Sequence, residues 1–227
     1  MDRSGLRLTV VGVGAIGTAV LTLLRHRSVV HVQLIDGDTI EASNIPRQLL
    51  YHAGDVGRLK VHVAMERMAL LVPGLPVSVV PRFLQPGDEA ALFADTNVVL
   101  DCCDDLHAKR RMAVHGARAG LHLISAAVHK DQVQVSTQIP GSPPLFSGRI
   151  TDEQATCDMH HVTLPVVALS AALMVHRLHQ LIAGMTALND QLDLLDVEQG
   201  RWMRIRRPRD PMDEQLIAKE IRHLPHA

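Results

Sequence analysis

The chain has 227 residues, of which 47% are hydrophobic but only 2% aromatic, and its formal net charge is −1. Such a composition supplies a sizeable core of Val, Leu, Ala, Ile and Met, while the balanced charge gives no electrostatic case for nucleic acid or an anionic membrane. Three cysteines, Cys102, Cys103 and Cys157, are too few for a disulfide scaffold and suit a reducing, cytoplasmic location. No signal peptide is visible, and no apolar run reads as long and uncharged enough to span a bilayer; residues 162–175 are too short.

In chain order, the apolar run 6–11 predicts a buried strand feeding a Gly-x-Gly-x-x-Gly turn at Gly12, Gly14 and Gly17. A helical apolar segment, 18–24, follows, and a second strand, 31–35, ends in Asp36. In such a unit Gly12 permits a tight turn, Gly14 lets a phosphate approach the backbone, and Gly17 lets helix and strand pack closely. The helix start presents free N–H groups to an anion, and an acidic residue placed like Asp36 can accept hydrogen bonds from a ribose.

After a polar loop over 37–51, the pattern predicts a helix over 59–71 ended by Pro73-Gly74, then a strand at 77–80. A short helix follows at 89–93, then a strand at 98–100 running into Asp101–Asp105, and a helix at 109–119 stopped by Gly120. Strands are expected at 122–127 and 132–138. Beyond a composition break at 140–144, residues 145–161 read as loop. Residues 165–183 form the longest apolar helical segment, packed on the sheet or on a second subunit. A strand pair at 192–197 and 201–206 and a short amphipathic helix within 213–227 complete the chain. Alternation of strands and helices predicts an α/β, Rossmann-like doubly wound sheet, mostly parallel, with a C-terminal antiparallel extension. Residues 1–139 would be the nucleotide-binding part, and 140–227 would complete the same compact domain.

Ligands of open parallel sheets lie beyond the carboxyl ends of the strands. Asp36 and Asp38 fall at one such end, Asn44, Arg47 and Gln48 in the loop after it, and Asp101, Asp104 and Asp105 at another. Lys60 opens the next helix. Two cations, acidic residues and a glycine turn at one edge suit a nucleoside triphosphate with a divalent metal. Arg47 can fork onto phosphate oxygens, Lys60 can act as a point charge, and Asp104 can supply the one carboxylate that Mg²⁺ needs beside phosphate. Capping of the following helix is the alternative role for Asp104-Asp105.

The stretches Asp36-Gly-Asp-Thr-Ile-Glu-Ala-Ser-Asn-Ile-Pro-Arg-Gln48, Asp55-Val-Gly-Arg-Leu-Lys60 and Val99-Leu-Asp-Cys-Cys-Asp-Asp105 resemble the ThiF/MoeB family. These are adenylyltransferases that activate ubiquitin-like and sulfur-carrier proteins. The resemblance runs from Val10 to about Gln138, with a weaker echo in Gly200-Arg-Trp-Met-Arg. It implies that Gly12, Gly14, Ala15 and Gly17 shape an ATP turn and that Asp36, with Asp38 nearby, holds the ribose. Asn44, Arg47, Gln48 and Lys60 would attend the phosphates, and Asp104, next to Asp105, would hold Mg²⁺. The implied partner is a small carrier protein or peptide ending in a Gly-Gly-type tail, and the implied assembly is a homodimer.

The chain departs from that pattern in several places. Family members often carry two Cys-x-x-Cys pairs that bind a structural zinc; the matching stretches near 145–148 and 211–214 contain no cysteine, so no structural zinc is expected. The pair His160-His161 has no matching second pair and reads as loop. Cys157 falls where relatives place a cysteine that links to the carrier. Asp105 stands where the family usually has Asn. The family's N-terminal helix, whose arginine reaches the partner's ATP, has no counterpart before the first strand, and Arg3 or Arg7 is the candidate substitute. Two other readings remain open from the sequence: a non-catalytic partner subunit of an activating enzyme, and an NAD-dependent dehydrogenase using the Gly12–Asp36 unit alone.

Overall fold

A computed structural model describes residues 5–145, 162–185 and 191–206. Five parallel strands run β1 (Leu6–Val11), β2 (Val29–Ile35), β3 (Val77–Val80), β4 (Val98–Asp101) and β5 (His122–His129), in spatial order β3-β2-β1-β4-β5. The sheet continues antiparallel through β6 (Gln132–Gln138), β7 (Gln191–Asp196) and β8 (Arg201–Arg206). The expected doubly wound parallel sheet and its antiparallel extension are therefore both present, as one eight-stranded sheet. Chain direction reverses at the β5–β6 hairpin, where Lys130 (φ 50°) is the one non-glycine residue with positive φ among the described residues.

Helices cover both faces. On one lie α1 (Ala15–Leu23), α2 (Lys60–Leu71) and α5 (Leu164–Ile182), sharing a core that includes Val10, Val20, Leu34, Ala64, Met174 and Leu178. On the other, α3 (Glu89–Leu92) and α4 (Leu106–Ala119) enclose a smaller core around Phe93, Val99 and Met112. Most expected boundaries shift by a residue or two. The largest changes are at α1 and α4, which each start three residues early; at α4 this is because Asp105 Oδ1 accepts the His107 N–H at 2.8 Å and caps the first turn.

Helix α5 corrects the expectation about membrane-length segments. Its 19 residues, with mean hydropathy 1.3, are by length and composition long and apolar enough to cross a bilayer. Instead Val167, Ala171, Met174 and Leu178 are buried in the common core, where α5 packs on α1, β5 and β6. A polar fastener holds it to the extension: buried Arg177 pairs with fully buried Asp193 of β7, which also accepts Arg204 Nε at 2.7 Å and Trp202 Nε1 at 3.2 Å. Burial alone would raise the Asp193 carboxyl, but those donors hold it below its ordinary range.

Cys157, His160-His161, Arg3, the tail helix at 213–227 and nearly all of the stretches equivalent to the zinc-binding pairs lie outside the described residues. Arg7 is described: its side chain donates to the Asp95 carbonyl at 3.0 Å, at the amino end of β1.

Candidate functional site

Strand order reverses between β1 and β4, so the crevice beyond their carboxyl ends is where such a sheet takes ligand. A cavity of about 500 Å³ opens there. The turn between β1 and α1 forms its floor, and each glycine has a separate reason. Gly12 has φ +86°, and a Cβ on it would stand 2.8 Å from the Cys102 carbonyl. A Cβ on Gly17 would stand 2.1 Å from the Gly12 carbonyl oxygen, so only glycine lets α1 sit so close to β1. A Cβ on Gly14 would meet nothing nearer than Gln48 Nε2 at 3.9 Å, so its open side faces the cavity. Beyond Gly14, helix α1 starts at Ala15 with no side-chain cap, leaving its first N–H groups for an anion.

Asp36 sits at the end of β2. Its carboxylate accepts the Val13 N–H at 2.6 Å and the Asp38 N–H at 2.8 Å, fixing the glycine turn against the β2 loop. Burial outweighs these bonds and pushes the Asp36 carboxyl above its ordinary range. A carboxylate oxygen can accept more than one bond, so Asp36 retains capacity toward the cavity that it lines.

The loop after β2 folds back over α1 and delivers the cations. Tyr51, buried, places its hydroxyl between two carbonyls, its single proton shared between Val13 at 2.8 Å, the nearer, and Lys60 at 3.3 Å. Leu49 N donates to Thr18 Oγ1 at 3.1 Å, a second tie to α1. Asp55 anchors the turn before α2: it is 2% exposed and accepts the His52 N–H, Arg58 Nη1 at 3.2 Å and Arg67 Nη2 at 3.0 Å. Burial opposes its charge, but the His52 N–H and the Arg67 guanidinium prevail and lower its pKa.

Lys60 is thereby held at the start of α2, buried, with its ammonium 2.7 Å from Asp38 Oδ2. An ammonium has three donors, so two remain for another anion. Arg47 Nη1 donates to the Ser43 carbonyl at 2.8 Å, leaving the rest of its fork free to turn to the cavity that it lines. Gln48 is buried in the same wall with its Oε1 unpaired, and its amide can present an acceptor or, rotated, an NH₂. Asn44 also borders the cavity, but its side chain closes the loop by accepting the Glu41 N–H at 3.2 Å and donating to Ser43 Oγ at 3.3 Å.

At the end of β4 the three acidic residues separate into three roles. Asp101 is wholly buried: its Oδ2 lies 3.0 Å from Lys109 Nζ and accepts Ser125 Oγ at 2.6 Å. Lys109 also donates to the Ala126 carbonyl at 2.8 Å. Burial would depress its ammonium, but the Asp101 carboxylate more than offsets this and its pKa is raised. Asp105 caps α4 as described above. Asp104 is exposed and lines the cavity, its carboxylate in no hydrogen bond or ion pair with the described residues, which suits a metal that takes few protein ligands. No cluster of three or more His, Cys, Asp or Glu that could cage a metal occurs among the described residues. A metal at Asp104 would therefore need oxygens from a ligand. Cys102 and Cys103, following β4, have thiol pKa values raised first by burial and then by Asp101, which makes them inert packing groups rather than nucleophiles.

Gly12, Gly14, Ala15, Asp36, Asp38, Asn44, Arg47, Gln48, Lys60, Asp104 and Asp105 thus surround one cavity, with Gly17 packed beneath the turn and not on the cavity wall. Tyr51, the Asp55 cluster and the Asp101–Lys109 pair, which position them, are apparent only from the structure.

Comparison with known proteins agrees with this arrangement. The chain is 28% identical over 182 residues to the molybdopterin-synthase adenylyltransferase of Escherichia coli, covering 78% of this chain and 73% of that protein. It is 27% identical over 189 residues to the adenylyltransferase and sulfurtransferase UBA4 of Yarrowia lipolytica, spanning 48% of that longer protein. Among solved structures it shares its fold with E. coli MccB crystallised with MccA (TM-score 0.80, 18% identity, 92% of this chain and 66% of that one). It also shares it with PaaA (TM-score 0.76, 18% identity, 90% and 64%). The model of the ThiF family matches residues 3–215, and with the glycine turn, the cation-bearing loop and Asp104 gathered on one cavity, this chain belongs to the ThiF family.

Proposed function

We propose that this chain is an ATP-dependent adenylyltransferase that activates the C-terminal carboxylate of a small ubiquitin-like or sulfur-carrier protein or peptide as an acyl-adenylate. The observation that carries the reading is the convergence of Arg47, Lys60 and Asp104 with the glycine turn on one cavity. Relatives named as adenylyltransferases support it. An NAD-dependent dehydrogenase would give those three side chains no task.

In this reaction a carboxylate oxygen of the carrier attacks the α-phosphorus of ATP, a new P–O bond forms, and the bond to the leaving pyrophosphate breaks. Both reactants are anions, so the protein's task is alignment and charge neutralisation. The N–H groups at the start of α1 and the open face of Gly14 receive the phosphates. Lys60, freed in part from Asp38, and Arg47 balance the charge that builds on the leaving side. Asp36 accepts a ribose hydroxyl. Asp104 would hold Mg²⁺, which, when bound, offsets phosphate charge. No protein base is required, because a C-terminal carboxylate is ionised at neutral pH. The Gly-Gly-type tail, the homodimer and the cytoplasmic location belong to the same proposal.

Pyrophosphate exchange into ATP, dependent on Mg²⁺ and a carrier, tests the proposal. Asp104→Ala and Lys60→Ala should each lower exchange by about 10²- to 10³-fold, the usual effect of removing one preorganised charge. Exchange that persists unchanged in both variants would refute it.

A further inference from the structure

One wall of the cavity has no role in the chemistry above. Val11, Ile35, Leu84 and Ala108, all part of the α3–α4 core, reach the cavity surface there, and Phe83 stands beside them. Phe83 is 56% exposed, whereas Phe93 and Tyr51 are buried in a chain with only three Phe, one Trp and one Tyr. A large ring left in water next to a cavity is an available contact surface.

Its placement is built rather than incidental. The loop that carries it is pinned by Arg111 Nη2 on the Leu84 carbonyl at 3.0 Å and by Asp88, which accepts the Gln85 N–H at 2.8 Å and pairs with Arg82. The ring also lies across Gly37: a Cβ there would stand 2.8 Å from Phe83 N and 2.9 Å from its Cδ2. Gly37 directly follows Asp36, so the absence of a side chain at that position brings the ring next to the ribose-binding carboxylate.

We propose that Phe83 is the platform on which the nucleotide base stacks, with the apolar wall of Ile35 and Leu84 behind it. The inference rests on the ATP reading above and adds the base contact to it. Every base offers a π-face, and stacking on an aromatic side chain holds it without hydrogen-bond readout.

The test is calorimetric binding of two probes, ATP and inorganic tripolyphosphate, to the wild-type chain and to Phe83→Ala and Phe83→Trp. Phe83→Ala should weaken ATP by roughly five- to hundredfold, the range for loss of one base–aromatic stack, and leave tripolyphosphate unchanged. In Phe83→Trp, ATP should bind at least as tightly as to wild type and quench the new indole, while tripolyphosphate should not; Trp202, the single native Trp, gives the constant background. Equal ATP affinity in wild type and Phe83→Ala overturns the stacking role alone. Equal weakening of ATP and tripolyphosphate, or an effect confined to carrier binding, also overturns it. A wild-type chain that binds no ATP overturns the nucleotide reading itself.

Discussion

Replacement of Lys109 by Met is the sharpest test of how the site is supported. The ammonium of Lys109 is 4% exposed and the Asp101 carboxylate 0%, with Nζ and Oδ2 3.0 Å apart. At an effective dielectric of about 20, the attraction at that distance is of order 5 kcal/mol. Met keeps the length of the stem but leaves Asp101 charged and buried, with Ser125 Oγ and the weaker Cys103 N–H (3.3 Å) and Sγ (3.1 Å) contacts as its remaining donors. Breaking a buried pair from one side costs about 3–5 kcal/mol. For a chain of this size that is a fall in Tm of about 6–20 °C, at about 2–4 °C per kcal/mol. Urea unfolding of Lys109→Met should show the loss as a lower midpoint at unchanged slope. Adding Asp101→Asn should restore part of it, because the stranded charge is then gone. Asp101 also orders the segment presenting Asp104, so ATP should bind less tightly to the single variant. A loss below about 1 kcal/mol, the level of an exposed pair, would refute the reasoning.

The three glycines predict separable effects. Gly17→Ala places a Cβ 2.1 Å from the Gly12 oxygen and should cost about 1–3 kcal/mol or more of stability, read by thermal unfolding. Gly14→Ala meets no close neighbour, so stability should fall by no more than about 1 kcal/mol while ATP affinity drops, because the methyl group enters the cavity. Asp193 predicts a pH effect. Its carboxyl is held below the unfolded value of 3.8, so its contribution is complete above that value and is lost as pH falls through the lower folded one. The stability advantage of wild type over Asp193→Asn, from urea midpoints, should therefore be constant at neutral pH and shrink as pH drops below about 4.

The glycine turn, the parallel half of the sheet and the cation-bearing loop could be read from the chain because each rests on local spacing: short apolar runs alternating with helical segments, a fixed glycine interval, and polar residues just past strand ends. What could not be read depends on partners distant in sequence. Tyr51 looks like any aromatic at the end of a polar loop until its hydroxyl is seen on Val13, 38 residues away. Lys109 reads as one of several helix charges, and nothing local shows that α4 turns it inward to Asp101. An Asp-Asp pair before a helix leaves ligand and cap open for Asp105; its side chain on the His107 N–H assigns the cap. Phe83 follows a strand too short to define a register, and its meaning comes from a glycine on the neighbouring strand's loop. Arg177 interrupts an apolar helix in a way that argues against burial, and only its pairing with Asp193 explains it.

The phenol of Tyr51 carries a wider consequence. By bridging the carbonyls of Val13 and Lys60, it welds the backbone beneath the glycine turn to the base of the lysine's helix. Those two pieces cannot drift apart independently, so an incoming nucleotide meets its anion-gripping groups already mustered, and little ordering entropy is left to oppose capture.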